Sequence, residues 1–143
     1  IVEKLFKIFN PNNAYFGEKD FQQLIMIKSL PKKLNLNINV VGCKTIREED
    51  GLAMSSRNKL LNKRERESAG EIIKLLLKAK EMDGRFNYKQ IKDEIHRYAD
   101  AIQGVTLEYF EIVELSKFLN TIEKRAFIAC RVGNVRLIDN IRI

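Results

Sequence analysis

Two short stretches gather the side chains that can do chemistry on an anion. The first is Arg47-Glu-Glu-Asp-Gly-Leu-Ala-Met-Ser-Ser-Arg-Asn58. Ser55 and Ser56 offer short hydroxyl donors, and Arg57 offers a rigid fork of N–H groups that matches phosphate oxygens. Gly51 opens backbone conformations that other residues avoid. The second stretch, Phe16-Gly-Glu-Lys-Asp20, places Lys19 where a strand gives way to a helix. A lysine at the carboxyl edge of an α/β sheet, beside a helix N-terminus, is positioned to neutralise a phosphate oxygen. Together the two stretches predict a polyphosphate site, with Lys19, Ser55, Ser56 and Arg57 as its catalytic donors. The plainer readings are a solvated Lys19 between two acids, a surface turn at Ser55–Arg57, and Met54 as core filler.

The elements that must carry these residues follow from periodicity and punctuation. Val2, Leu5, Phe6 and Phe9 line one face of a helix, stopped by Asn10-Pro11-Asn12-Asn13. Ala14-Tyr15-Phe16 reads as a short strand ending at Gly17. Asp20, with Gln23 three residues on, reads as the capping box of a helix through Leu24, Ile25 and Ile27, kinked or ended by Pro31. Ile38 to Cys43 alternates like a second strand. Strand, helix, strand at this spacing predicts a parallel crossover, the unit of a nucleotide-binding sheet.

The pattern changes near Thr45. Asn62 with Glu65 predicts a cap, and Ile72, Ile73, Leu75, Leu76 and Ala79 predict one long helix ending near Gly84. Asn87 with Gln90 starts a second helix through Ile91, Ile95, Tyr98 and Ile102, closed by Gly104. Strands are expected at Thr106–Leu115, Arg125–Val132 and Val135–Ile138, with Gly133-Asn134 as a two-residue hairpin turn. The expected fold class is α/β. Residues 1–45 are expected to be the end of a parallel sheet domain (strand-helix-strand), Rossmann-like by the family resemblance that its motifs carry. Residues 46–143 form a small α+β lid domain with two helices and a three-stranded antiparallel sheet.

Composition narrows the function. An apolar share of 45% with 31% charged residues describes an ordinary globular chain, not a disordered one. No apolar run approaches the roughly 20 residues needed to span a bilayer, and no signal peptide opens the chain, so no membrane partner is expected. The net charge of +7 invites a nucleic-acid reading. Seven lysines against three acids in residues 1–45 carry much of it, scattered at helical spacing with no aromatic interleaving. That pattern predicts a solvated basic face that draws in a small anion, and no nucleic acid. Cys43 and Cys130 sit among apolar neighbours without metal-ligand spacing, which predicts two buried free thiols in a reducing, cytoplasmic setting. His96 has no ligand partners in its context. Glu48, Glu49 and Asp50 read as solvated acids, and Arg136, Asp139 and Asn140 as turn chemistry.

Phe16-Gly-Glu-Lys-Asp-Phe-Gln-Gln23 and Asp50-Gly-Leu-Ala-Met-Ser-Ser-Arg-Asn58, with the tail Arg136-Leu-Ile-Asp-Asn140, closely resemble the pantothenate synthetase (pantoate–β-alanine ligase) family. The resemblance runs the length of the chain. It implies ATP-dependent condensation of pantoate with β-alanine through a pantoyl-adenylate, with Mg²⁺, in a homodimeric parent. It implies that Gly17, Glu18, Lys19 and Asp20 contribute to the ATP site, that Gln23 hydrogen-bonds pantoate, and that the backbone at Ile46 meets the adenine. Met54, Ser55, Ser56 and Arg57 would correspond to the flexible segment over the phosphates, analogous to the KMSKS loop of class I aminoacyl-tRNA synthetases. No separate metal ligands are implied. The family's His-x-Gly-His motif is absent, His96 being the only histidine. The expectation is therefore a C-terminal piece, or a truncated gene, inactive as a synthetase on its own. Apolar surface left open by the unfinished sheet is expected to favour oligomers. The alternative is a non-catalytic nucleotide-binding or interaction module derived from the family.

Overall fold

The computed structural model describes residues 1–117 and 122–143. The chain divides into two compact units, Ile1–Thr45 and Ile46–Ile143.

The first unit opens with helix α1 (Val2–Phe9), ended by Asn10 in the left-handed region at φ 40°. Strands β1 (Asn13–Gly17) and β2 (Asn39–Cys43) pair in parallel, with Asn13 opposite Asn39 and Gly17 opposite Cys43. Helix α2 (Phe21–Lys33) joins them, as a parallel pair requires a crossover. Phe6, Ile27 and Ile38 form the small core, with Phe6 edge-on to Phe16 at 6.4 Å. Two expectations fail here. Pro31 does not end α2, which runs on to Lys33. Asn35 at φ 53° stops it, through bonds from Asn35 N–H to Lys32 O and from Leu36 N–H to Pro31 O. The proline gives up the bond its N–H would make to the Ile27 carbonyl one turn back, yet only two helical residues follow it, and the asparagine then adopts the left-handed conformation that closes the last turn. Nor does Asp20 cap α2 with its side chain. A 3₁₀ turn, Glu18–Asp20, leads straight into the helix, so Asp20 lacks the extended backbone that a side-chain cap needs.

In the second unit, helices lie on a three-stranded antiparallel sheet. Strands β3 (Val105–Glu114), β4 (Lys124–Val132) and β5 (Val135–Arg142) are ordered β3-β4-β5. Val132 pairs with Val135 across Gly133-Asn134, and Gly133 at φ 55° opens the turn, as a two-residue hairpin with glycine first requires. The long helix expected from Asn62 is broken into α3 (Lys63–Gly70) and α4 (Ile72–Met82). Around the break the bonds shorten to i→i−3, from Glu71 N–H to Ser68 O and from Lys74 N–H to Glu71 O. Gly70 lies against Asp50: a Cβ there would stand 2.6 Å from the Asp50 Oδ2. Ser68 and Gly70 are the kind of small residues at which helices kink. Capping boxes form at Asn62–Glu65 and, for α5 (Tyr88–Asp100), at Asn87–Gln90.

Ile72, Leu75, Leu76 and Ala79 on α4, with Ile91, Ile95 and Ala99 on α5, bury one stripe each against Phe110, Ile128, Cys130 and Val132 of the sheet. These helical spacings put each set on one face. Cys130 is buried as expected, but Cys43 is exposed at the end of β2. Among the described residues no helix is long and apolar enough to cross a membrane.

Candidate functional site

In the first unit, Gly17 ends β1 in extended conformation and Glu18, Lys19 and Asp20 make the 3₁₀ turn into α2. These residues sit at the carboxyl end of β1, level with the end of β2 at Cys43, the edge where open α/β sheets receive ligands. Gly17 has open space around the position of an absent Cβ, so backbone is accessible there. Gly42 serves a different purpose. A Cβ on it would lie 3.0 Å from Leu24 and 3.6 Å from the Glu18 side chain, so its bareness makes room for Leu24, while Glu18 would be in ordinary contact. Gln23 is exposed on the first turn of α2 and makes no cap, which leaves its amide to the solvent side.

In the second unit the segment from Ile46 to Asn58 is a closed, clamped loop. Arg47 bridges Ala53 in antiparallel fashion, Glu48 N–H donates to Leu52 O at 2.8 Å, and Met54 N–H donates to Ile46 O at 3.0 Å. Gly51 at φ 88° makes the tight reversal between them. Three side-chain clamps then fix this loop. Arg47 donates through Nη1 and Nη2 to the two oxygens of Asp139 on β5, at 2.6 and 3.1 Å, and through Nη1 to Gly51 O at 2.9 Å. Arg66 on α3 forks onto the Asp50 carboxylate, whose Oδ1 also accepts Leu52 N–H at 3.2 Å. The hydrogen bonds from Arg66 hold the Asp50 carboxyl below its usual range; burial opposes them, and the Leu52 N–H adds a smaller lowering. Buried Asn58 donates to Ala53 O at 3.2 Å and to Glu48 Oε1 at 3.3 Å. Asp139 and Asn58 carry no catalytic signal in the sequence, yet they set the loop's frame.

On this frame, Leu52 and Ala53 face inward while Met54 is half-exposed, so Met54 is not core filler. Ser55 Oγ accepts Arg57 N–H at 3.3 Å and so caps the 3₁₀ turn Ser56–Leu60. Ser56 and Arg57 are exposed. Ser55 and Ser56 line an open depression of about 590 Å³ with Glu48, Met54, Asn58, Lys59 and Arg66. Arg57 does not line it in this conformation. Ile46, the residue that the resemblance associates with adenine, is 70% exposed at the root of the loop.

No group of three His, Cys, Asp or Glu side chains is placed to hold a metal ion among the described residues, and His96 belongs to none. The segment carries hydroxyls and cations on a hairpin clamped from three sides.

The family model for Pantoate-beta-alanine ligase matches residues 1–142. The chain belongs to the pantoate–beta-alanine ligase family. The pantothenate synthetase of Sulfurihydrogenibium sp. is 47% identical over 148 residues, covering 99% of this chain and 53% of that protein. A crystal structure of the Thermus thermophilus enzyme superposes with a TM-score of 0.88 at 34% identity, over 98% of this chain and 52% of that one. The Francisella tularensis pantoate-beta-alanine ligase, solved in complex with beta-gamma ATP and beta-alanine, gives 0.72 at 35% identity, over 99% and 47%. The chain therefore spans about half the length of the curated relatives it matches. The fold of this chain, with its parallel strand pair, helices and three-stranded antiparallel sheet, matches that of the Thermus thermophilus structures over 98% of its length.

Proposed function

We propose that the protein carrying this chain is an ATP-dependent ligase that condenses pantoate with β-alanine to pantothenate. The family match across residues 1–142 carries the reading. The exposed Ser56 and Arg57 donors, beside half-buried Ser55 on a triply clamped hairpin, support it. In the first half-reaction a pantoate carboxylate oxygen attacks the α-phosphorus of ATP, the bond to the bridging oxygen breaks, and diphosphate leaves. Lys19, Ser55, Ser56 and Arg57 act on the charge that builds on the phosphate oxygens, where removing one preorganised donor typically costs about 10²–10³ in rate. In the second, the β-alanine amine attacks the pantoyl carbonyl, a proton leaves the nitrogen, and AMP departs with the bonding electrons. Exclusion of water protects the mixed anhydride between the two.

The binding roles are those that the family resemblance implies, and the exposure of these residues is compatible with them. Gly17 offers open backbone, Glu18 and Asp20 flank Lys19 in the turn, and the exposed Gln23 amide is the pantoate contact. Ile46 at the loop root is the adenine contact, and half-exposed Met54 covers the nucleotide. The described residues do not fit a protein-caged Mg²⁺, so that ion would travel with the nucleotide's own phosphates and water. The test is AMP formation by the protein carrying this chain, with each substrate omitted in turn. AMP release that requires both pantoate and β-alanine is expected. ATP binding without any pantoate-dependent AMP would overturn the ligase reading in favour of a nucleotide-binding module.

A further inference from the structure

The 3₁₀ turn Ser56–Leu60 has a consequence for which cation meets the phosphates. With three residues per turn, side chains at i and i+3 eclipse one another. Ser56 therefore shares its face with Lys59, whereas Arg57 shares its face with Leu60, which is 71% exposed. The depression reflects that phase: Ser55, Ser56 and Lys59 line it and Arg57 does not. Its other cation, Arg66, is committed by both terminal nitrogens to Asp50. Its carboxylate, Glu48, is engaged by the Asn58 amide. Lys59 is exposed and has no side-chain partner among the described residues.

We infer that Lys59 is a further phosphate-binding residue, joining Ser55 and Ser56 in taking up oxygens of the nucleotide's triphosphate within this depression. The inference deepens the proposed function and rests on that reading for the identity of the nucleotide. An ammonium on a flexible stem suits this place. It is a point charge that follows the phosphate through the small movements of ligand entry, while the Arg57 fork is free to engage from another side. The contact is exposed, so its worth is that of a wet charge-assisted bond, not of a buried pair.

The experiment measures ATP affinity by titration calorimetry, and AMP formation in parallel, on the protein carrying this chain and on its Lys59→Ala and Lys59→Arg variants. Lys59→Ala should weaken ATP binding by about two- to fivefold, with a similar rise in KM for ATP. The KM values for pantoate and β-alanine should stay within twofold, as should kcat. Lys59→Arg should restore most of the affinity, and the difference should shrink as salt screens the charge. ATP affinity unchanged in Lys59→Ala, or equal losses for all three substrates, would overturn the assignment. If ATP binds and the Lys59 effect holds but no pantoate-dependent AMP forms, the phosphate site stands and the ligase reading falls. No ATP binding by the unaltered protein would overturn both.

Discussion

Removing the Asp139 carboxylate should undo the frame of the loop from its far end. Asp139 is 4% exposed, and both of its oxygens take a nitrogen of Arg47 while Oδ1 also accepts the Asn140 N–H. In Asp139→Ala the guanidinium loses its partner and the Asn140 amide its acceptor. Breaking a buried ion pair from one side costs about 3–5 kcal/mol. The Arg47 side chain is 26% exposed, so it recovers some hydration and the cost falls to the lower part of that range or just below it. A loss of about 2–4 kcal/mol is expected, or roughly a 10–20 °C fall in Tm for a domain of this size. The assay is thermal and urea unfolding by circular dichroism, with amide exchange read out over residues 46–58. Exchange at Gly51 and Met54 should accelerate, because Arg47 holds the hairpin at the Gly51 carbonyl. Asp139→Asn, which keeps one acceptor but turns an NH₂ towards the guanidinium, should fall between the two. A loss below about 1 kcal/mol, with unchanged exchange in the loop, would refute the clamp.

Other perturbations probe separate links. Gly51→Ala should cost about 1–2 kcal/mol in denaturant unfolding, because φ 88° is strained for alanine and the new methyl would meet Ile73 at 3.1 Å. Ellman's reagent at pH 8 should titrate Cys43 quickly and Cys130 only on unfolding. Burial, helped by Glu108, pushes the Cys130 thiol up from 9.0 to about 12. Since the folded state then holds that proton more tightly, its stabilising contribution is complete below pH 9 and drains away as the pH rises towards about 12, measurable as a falling urea midpoint. Asp50 has the opposite sign. Its lowered pKa means the Arg66 contact helps stability above the ordinary carboxylate value and is lost as acid protonates it, so an Asp50→Asn variant should show a flatter acid limb in unfolding titrations.

Local signals in the sequence were reliable where the structure's decision was local. The Asn62–Glu65 and Asn87–Gln90 caps, the Gly133-Asn134 hairpin and the apolar stripes of α4 and α5 each depend on residues a few positions apart, and each forms. Asp20 and Gln23 have the same cap spelling, but the 3₁₀ turn ahead of them pre-empts it. The break at Glu71 was hidden because it depends on Gly70 meeting Asp50, a contact from another segment. Asp139 reads as a turn residue in its own neighbourhood, and its partner Arg47 is 92 positions away. No periodicity reports such a pair. Ser55, Ser56 and Arg57 stand out in the sequence by residue type as candidate donors. Their phase does not, since only the 3₁₀ geometry separates Ser56 and Lys59 from Arg57.

The most direct test of the central claim is pantoate-dependent exchange of labelled diphosphate into ATP, run without β-alanine. It isolates the adenylation step in which Lys19 and the Ser55–Arg57 loop are assigned their roles. The protein carrying this chain should catalyse exchange only when pantoate is present, and Arg57→Ala should lower the rate by about 10²–10³. Exchange that needs β-alanine, or that survives Arg57→Ala unchanged, would contradict the account.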